Sequence, residues 1–252
     1  RAQQIPDDSI RVLEPVIIQA YSAGRPIEEV SASVAHLNTF DLHRFNNTNI
    51  LPALNAIPGV RMEERSPGSY RFSIRGSLLR SPFGVRNVKA YWNGLPLTDG
   101  GGNTYLNLLD FGSIGSMELI KGPAGSLYGA GTGGVILLNS PLVTQDQWEF
   151  AAMAGSFGQG RVQLAQQFHN RKFSLRLQFA SHQYNGYREQ SAMGRYVLNG
   201  DIVVPLTSKT TLAATFFYSD LRYETPGGLT AAQYQTNPRQ ARPPAGPNPG
   251  AG

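Results

Sequence analysis

The sequence predicts an α+β domain, a small mixed sheet with short helices, followed by a run of antiparallel strands. Two observations carry this. From Asn87 to Ser140, short β-type runs (Val88 to Trp92, Met117 to Ile120, Val135 to Leu138) alternate with Gly and Pro turns, so the backbone folds back on itself repeatedly. After Pro141 the texture changes: Phe173, Leu175, Leu177 and Phe179 alternate with Ser174, Arg176, Gln178 and Ala180, the period of a strand with one apolar and one polar face.

In chain order, residues 1–29 carry Pro6, Pro15 and Pro26 and one short apolar run, Val16-Ile17-Ile18. That is too little to form a core, so an extended segment is expected. The first domain is expected over residues 30–142. Within it Asn47 or Thr48 is suited to cap a short helix that carries Ile50, Leu51, Leu54 and Ile57 on one side and ends at Pro58-Gly59. Tyr70 to Arg75 alternates with period two, which predicts a strand with Arg71, Ser73 and Arg75 on one face. Over residues 143–252 about five strands can be placed, near 147–155, 160–169, 172–183, 195–204 and 210–221, each about the 9 to 11 residues that a tilted membrane strand needs. Trp148, Tyr184, Tyr187, Tyr196, Tyr218 and Tyr223 fall near strand ends, as an aromatic girdle requires. His169-Asn170-Arg171 and Pro205 to Lys209 read as tight turns; Asn185 to Gly194 and everything after Tyr223 read as longer loops, the last too rich in Pro and Gly for a strand. Alternation alone fits a soluble β-sandwich as well as a barrel.

Gly129-Ala130-Gly131-Thr132-Gly133-Gly134 satisfies G-x-G-x-x-G, but a dinucleotide fingerprint must open a helix. Here the glycines open Val135-Ile136-Leu137-Leu138, a β-branched run. His36, His43, His169 and His182 show no metal-ligand spacing, and no nucleophile elbow or P-loop occurs. Asp99 sits beside Gly100 and Asp110 two residues before Gly112, where Asp is usually a turn residue. No enzyme, cofactor or protein-ligated metal is expected. Charged residues make up 15% of the chain, the net charge is +5 without a basic block, and there is no cysteine. Nucleic-acid partners, disulfides and thiolate sites are thereby set aside. No run of about 18 apolar residues exists, so no transmembrane helix is expected. The chain starts at Arg1 without a Met or an n-region, so any signal peptide is expected to have been removed.

Four motifs occur in order. They are Ile57-Pro58-Gly59-Val60; Ile74-Arg75-Gly76; Tyr91-Trp92-Asn93-Gly94-Leu95-Pro96-Leu97; and Met117 to Ala124 with Leu127-Tyr128-Gly129 and Gly133-Gly134-Val135-Ile136. Together they resemble the plug domain of TonB-dependent outer-membrane receptors. One departure is Asn93, where the family usually has Asp; a turn tolerates either. The resemblance implies a plug domain followed by the N-terminal strands of an antiparallel transmembrane β-barrel of about 22 strands when complete. Five strands alone would leave an edge in lipid, so the chain is expected to be part of a longer protein. Short turns then face the periplasm and long loops the outside.

The resemblance also implies partners and sites. Leu13-Glu14-Pro15-Val16-Ile17-Ile18-Gln19 is similar to a TonB box, the periplasmic segment that adds as a strand to TonB, itself energised by ExbB/ExbD. Pro15 removes a donor that an edge strand can spare; an ordinary linker is the alternative. Arg75 and Lys121 stand where plugs carry cations paired with glutamates of the inner barrel wall; solvated surface charges are the alternative. Ligand-facing loops fall at Glu64 to Ser69, Leu79 to Gly84 and Asp99 to Thr104. Arg65 and Arg80 would hold an anionic ferric chelate through fixed guanidinium donors, with Ser81, Asn103 and Thr104 adding neutral hydrogen bonds. Tyr223 to Thr230 resembles a loop of receptors for ferric citrate and related chelates. The expected function is therefore TonB-coupled import of a chelated nutrient, ferric citrate or a ferric siderophore, by a monomer in outer-membrane lipid. Cobalamin or a glycan is the alternative within that class. A β-rich adhesion module would instead be extracted without detergent, and a passive pore would need no plug.

Overall fold

The computed structural model describes residues 16–22, 24–45, 48–66, 68–77 and 84–244. Leu13, Glu14, Pro15, Asn47, Arg80, Ser81 and the end of the tail lie outside the described residues.

The chain opens with two short paired strands, β1 (Ile17–Ile18) and β2 (Arg25–Pro26). It continues through β3 (Val34–Asn38), α1 (Thr39–His43), α2 (Leu51–Asn55) and the hairpin β4 (Val60–Ser66) and β5 (Ser69–Ile74). Then come β6 (Val88–Trp92), β7 (Leu95–Pro96), β8 (Ser116–Lys121), α3 (Gly125–Tyr128) and β9 (Gly134–Asn139). The sheet order is β3-β8-β9-β6-β7, with only β6 and β9 parallel. This is the mixed sheet expected of Asn87 to Ser140, and Gly134 opens a strand.

Alternation along β8 and β9 explains why both sheet faces are covered. Met117, Leu119, Ile136 and Leu138 face a core that includes Leu54, Met62, Phe72 and Trp92, so α2 and the β4–β5 hairpin pack there. Ile120, Val135 and Leu137 face the other way, against Ile18 and Ala20. The expectation of an extended segment over residues 1–29 is therefore corrected for its described part. Two buried side chains and one strand pair suffice to dock it, because the plug supplies the rest of that apolar layer. The cap of α2 also differs. Thr48 does not cap it; Asn49 Oδ1 accepts from the Leu51 N–H at 2.8 Å. Arg75 lies beyond β5 with φ 50 and is exposed, so it does not share a strand face with Arg71 and Ser73.

Five strands follow in simple antiparallel order: β10 (Gln147–Ala154), β11 (Gly160–His169), β12 (Ser174–Tyr184), β13 (Met193–Thr207) and β14 (Thr210–Tyr223). Arg161, Gln163, Gln167, Arg176, Gln178, His182, Arg195 and Asn199 are buried on the face toward the plug, while Val162, Leu164, Leu177, Phe179 and Leu198 are exposed on the other. Turns at one end are short, as between Thr207 and Thr210; connections at the other are long. Trp148, Tyr196 and Tyr218 point outward, whereas Tyr184 and Tyr223 are turned to the plug side, Tyr223 lying beside Gly68 of the β4–β5 hairpin. After Tyr223 the chain is irregular apart from a six-residue helix, α4 (Ala231–Thr236), closed by a Thr230/Gln233 capping box. No helix among the described residues is long and apolar enough to cross a membrane.

Candidate functional site

At the long-loop end a cleft of about 440 Å³ opens between the tip of the β4–β5 hairpin and the inner face of β12 and β13, lined by Glu64, Arg65, Tyr70, His182, Tyr184 and Arg195 among others. The hairpin delivers its tip there because Val60, Met62, Tyr70 and Phe72 are anchored in the core. A register shift between Glu64 and Ser66 then breaks the strand alternation beside Arg65. On the wall, Arg195 is almost fully buried. Its Nη1 donates to the Asn107 carbonyl at 3.1 Å and its guanidinium lies 5.9 Å from the Phe111 ring centroid. Its Nε has no hydrogen-bond partner among the described residues.

Burial pushes the Tyr70 hydroxyl well above the usual tyrosine range, opposed by Arg195. Desolvation in the cleft likewise raises the Glu64 carboxyl, against the Gly68 N–H and the Arg195 charge. The cleft thus offers two guanidinium groups and one carboxyl that gains its proton more readily than usual.

Arg65 lines this cleft. Arg80 and Ser81 lie outside the described residues. Asn103 and Thr104 do not line it. Asn103 closes its own turn, its N–H and amide bonding Asp99 and its Oδ1 accepting from Arg86 Nε at 2.8 Å. Thr104 is buried and its hydroxyl donates to the Val88 carbonyl at 3.0 Å. Both use hydrogen-bonding groups to hold the loop. His182, Tyr184 and Arg195 were not foreseen, although their inward positions in the wall's alternation were the signal for them.

The seam between the plug and these five strands has its own polar contacts. Arg75 and Lys121 form no ion pair among the described residues; Lys121 Nζ donates to the Pro58 carbonyl at 3.3 Å. In the ion pair present at this seam the plug supplies the carboxylate and the wall the guanidinium. Asp110, expected as a turn residue, accepts from Arg161 Nε at 3.0 Å and Nη2 at 2.7 Å. Gly112 sits where a Cβ would come within 2.1 Å of that guanidinium, so the arginine passes through space that only glycine leaves. Nearer the short-turn end, Asn93 Nδ2 donates to Asp201 Oδ1 at 2.7 Å. The departure at Asn93 therefore has a cause in the wall, since an Asp there would oppose Asp201.

The box-like segment is represented by Val16, Ile17, Ile18 and Gln19. The Val16 carbonyl accepts from the Ile27 N–H at 2.9 Å. In an antiparallel pair bonded residues alternate, so the backbone groups of Ile17 point away from β2. Ile17 is half exposed while Ile18 is buried. The segment combines one anchored and one open edge.

Residues 26–136 match the model of the TonB-dependent receptor plug domain. Over 123 residues the chain is 25% identical to the vitamin B12 transporter BtuB of Vibrio vulnificus, which covers 48% of this chain and 19% of that protein. In fold it is similar to FpvA of Pseudomonas aeruginosa, solved with heterologous ferric pyoverdines, at a TM-score of 0.67 and 19% identity, over 80% of this chain and 27% of that one. It is also similar to the ferric yersiniabactin uptake receptor FyuA of Yersinia pestis, at a TM-score of 0.57 and 19% identity, over 75% of this chain and 31% of that one. The chain spans from about a fifth to a third of the length of these proteins. By motif, family match and fold together, residues 26–136 form a TonB-dependent receptor plug domain, and the antiparallel strands that follow resemble in fold the start of the barrel of such receptors.

Proposed function

We propose that the whole protein sits in the bacterial outer membrane and imports a chelated nutrient, a ferric siderophore or ferric citrate, with energy delivered through TonB, ExbB and ExbD at residues 13–19. The observation that carries this reading is the cleft at the long-loop end, where Arg65 on the plug faces Arg195 on the wall. Two guanidinium groups in a partly desolvated recess suit an anionic chelate, whose carboxylate, catecholate or hydroxamate oxygens accept their fixed donors. Iron arrives as cargo inside its chelator; among the described residues no cluster of His, Cys, Asp and Glu could hold it. In this reading the long loops face outside, β10–β14 stand in lipid, and Ile17 offers the free edge on which a TonB strand adds. The relation to a vitamin B12 transporter supports cobalamin as a second reading.

Uptake of radioactive iron from a panel of ferric chelates, and of labelled cyanocobalamin, tests this in iron-starved cells carrying the complete gene beside an Ile17→Pro variant. Proline removes the N–H on the open edge and leaves the β1–β2 bonds in place. Uptake of one ligand that vanishes in the variant while surface binding persists is the expected result. Uptake indifferent to the proline would place the coupling segment elsewhere, and no uptake at all would remove the ligand classes.

Two binding results follow. Arg65→Ala is expected to weaken capture of an anionic chelate about tenfold or more, on the scale of about 1.5–3 kcal/mol for a hydrogen bond to a charged group. Glu64 adds a pH dependence. Its raised pKa means that acid protonates it in the folded protein earlier than an ordinary carboxyl, which makes the cleft more positive. Affinity is therefore expected to rise as pH falls toward the carboxyl range, beginning at a higher pH than an ordinary carboxyl would give, and Glu64→Gln should hold the high affinity across the same titration. The same slope in both proteins would assign it to the ligand.

A further inference from the structure

The side of the plug sheet away from its main core carries one buried acid that neither the cleft nor the plug–wall seam uses. Glu118 is the third residue of β8, held on both sides by pairing to His36 of β3 and Leu137 of β9. Its side chain is 2% exposed, in a layer formed by Ile120, Val135, Leu137, Ile18 and Ala20. A carboxylate in such surroundings needs partners. It finds them in the backbone of the N-terminal segment. Gln19 N–H donates to Oε1 at 2.8 Å and to Oε2 at 3.0 Å, and Ala20 N–H donates to Oε2 at 2.8 Å. The next amide, Tyr21 N–H, donates to the Tyr128 hydroxyl at 2.8 Å. Three consecutive N–H groups thus turn one way, the concave arrangement that receives anions, and Tyr21 adopts φ 59 to make it. A non-glycine residue in that region is held there by its surroundings. His36 Nδ1 lies 3.9 Å from Oε1 and makes no hydrogen bond among the described residues, so the backbone amides are the carboxylate's close partners.

We propose that Glu118 is a latch: its carboxylate clamps the backbone of residues 19–20 onto the plug and keeps the preceding coupling segment docked until the clamp is broken. This rests on reading residues 13–19 as the segment that pairs with TonB. The latch sits on a central strand of the sheet. A pull on the segment therefore reaches β8 first, and through it β3 and β9, before any residue of the wall. Release and disruption of the plug sheet begin at one residue.

The test reads accessibility, not transport. In the full-length protein, in its membrane and freed of any cysteine outside these residues, Ile18→Cys places a thiol at a side chain that is 0% exposed while docked. Its rate of labelling by a maleimide in ligand-free membranes is compared with that in Ile18→Cys combined with Glu118→Gln. The amide keeps one acceptor but turns donors toward the Gln19 or Ala20 N–H. Labelling about tenfold faster or more is expected, the scale of losing hydrogen bonds to a charged acceptor. An unchanged rate in a variant whose barrel still resists heat unfolding on gels would overturn the latch. If the variant does not assemble, hydrogen exchange of the wild-type protein decides: amides 19–21 protected as strongly as β8 support the latch, and amides that exchange as fast as exposed loops refute it. Faster labelling together with proline-indifferent uptake would uphold the latch and sink the coupling assignment, so the two failures are distinguishable.

Discussion

Asp110→Ala is expected to weaken the seating of the plug against the barrel wall by about 3–5 kcal/mol, the cost of leaving one member of a buried ion pair alone. The side chains of Asp110 and Arg161 are 1% and 3% exposed. The arginine presents Nε and Nη2 to the two carboxylate oxygens at 3.0 and 2.7 Å, a fork-to-fork arrangement that only these two groups make. Gln178 Nε2 adds a longer contact to Oδ2 at 3.4 Å, and Arg161 also donates to Gln163. Without the carboxylate, a guanidinium stays between plug and wall with one neutral acceptor. Removing both charges should cost far less, so Asp110→Leu with Arg161→Met is expected to regain most of the loss. Denaturant titration of the full-length protein in detergent measures this. Trp92 can serve as reporter, since it is buried in the plug with its ring 6.2 Å from that of Phe217 on the wall. An unchanged midpoint in Asp110→Ala would mean that water reaches the pair and the seam is held elsewhere.

That pair also marks where sequence reading stopped. The mixed sheet and the five wall strands follow from periodicity and turn residues, because burial on one or both faces imposes a local pattern that a strand cannot avoid. Arg161 and Gln163 were visible as polar inward positions. Which plug residue meets each of them was not, because Asp110 and Arg161 are brought together by the closing of the wall around the plug and share no local pattern. Asp110-Phe111-Gly112 has the composition of a turn; its glycine serves to admit a side chain from the wall. The same limit applies to the docked segment. Ile18 and Ala20 look like linker residues until β8 and β9 present an uncovered apolar face. Asn103 and Thr104 show the converse limit: a polar loop residue carries no local sign of whether its donors point outward or, as in these two, to groups of its own loop and strand.

Gly134→Ala is expected to disorder the plug, at a cost of about 3 kcal/mol or more for strain at a backbone position that cannot yield. Gly134 opens β9 with φ 143, and a Cβ there would lie 2.2 Å from the Ile120 carbonyl oxygen and 3.0 Å from Ile74 Cδ1. Neither neighbour can retreat. Gly134 is paired with Lys121 of β8 on one side and Val88 of β6 on the other, so moving it apart from one strand drives it into the next. The preceding residue is as tightly placed, with a Cβ on Gly133 falling 2.7 Å from Ser77 Oγ and 3.0 Å from the Asn87 carbonyl oxygen. The glycine run that satisfies a nucleotide fingerprint in letters is therefore needed for close passage of backbone between strands. Gly125, where a Cβ would meet nothing within 4 Å, supplies the control. Limited trypsin digestion of assembled, full-length protein should cut the plug of Gly134→Ala while its barrel stays heat-resistant, and leave Gly125→Ala intact. Equal resistance in both variants would show that β9 can shift to admit a methyl group, and the sheet would then not be the rigid body on which the hairpin, the seam and the docked segment all depend.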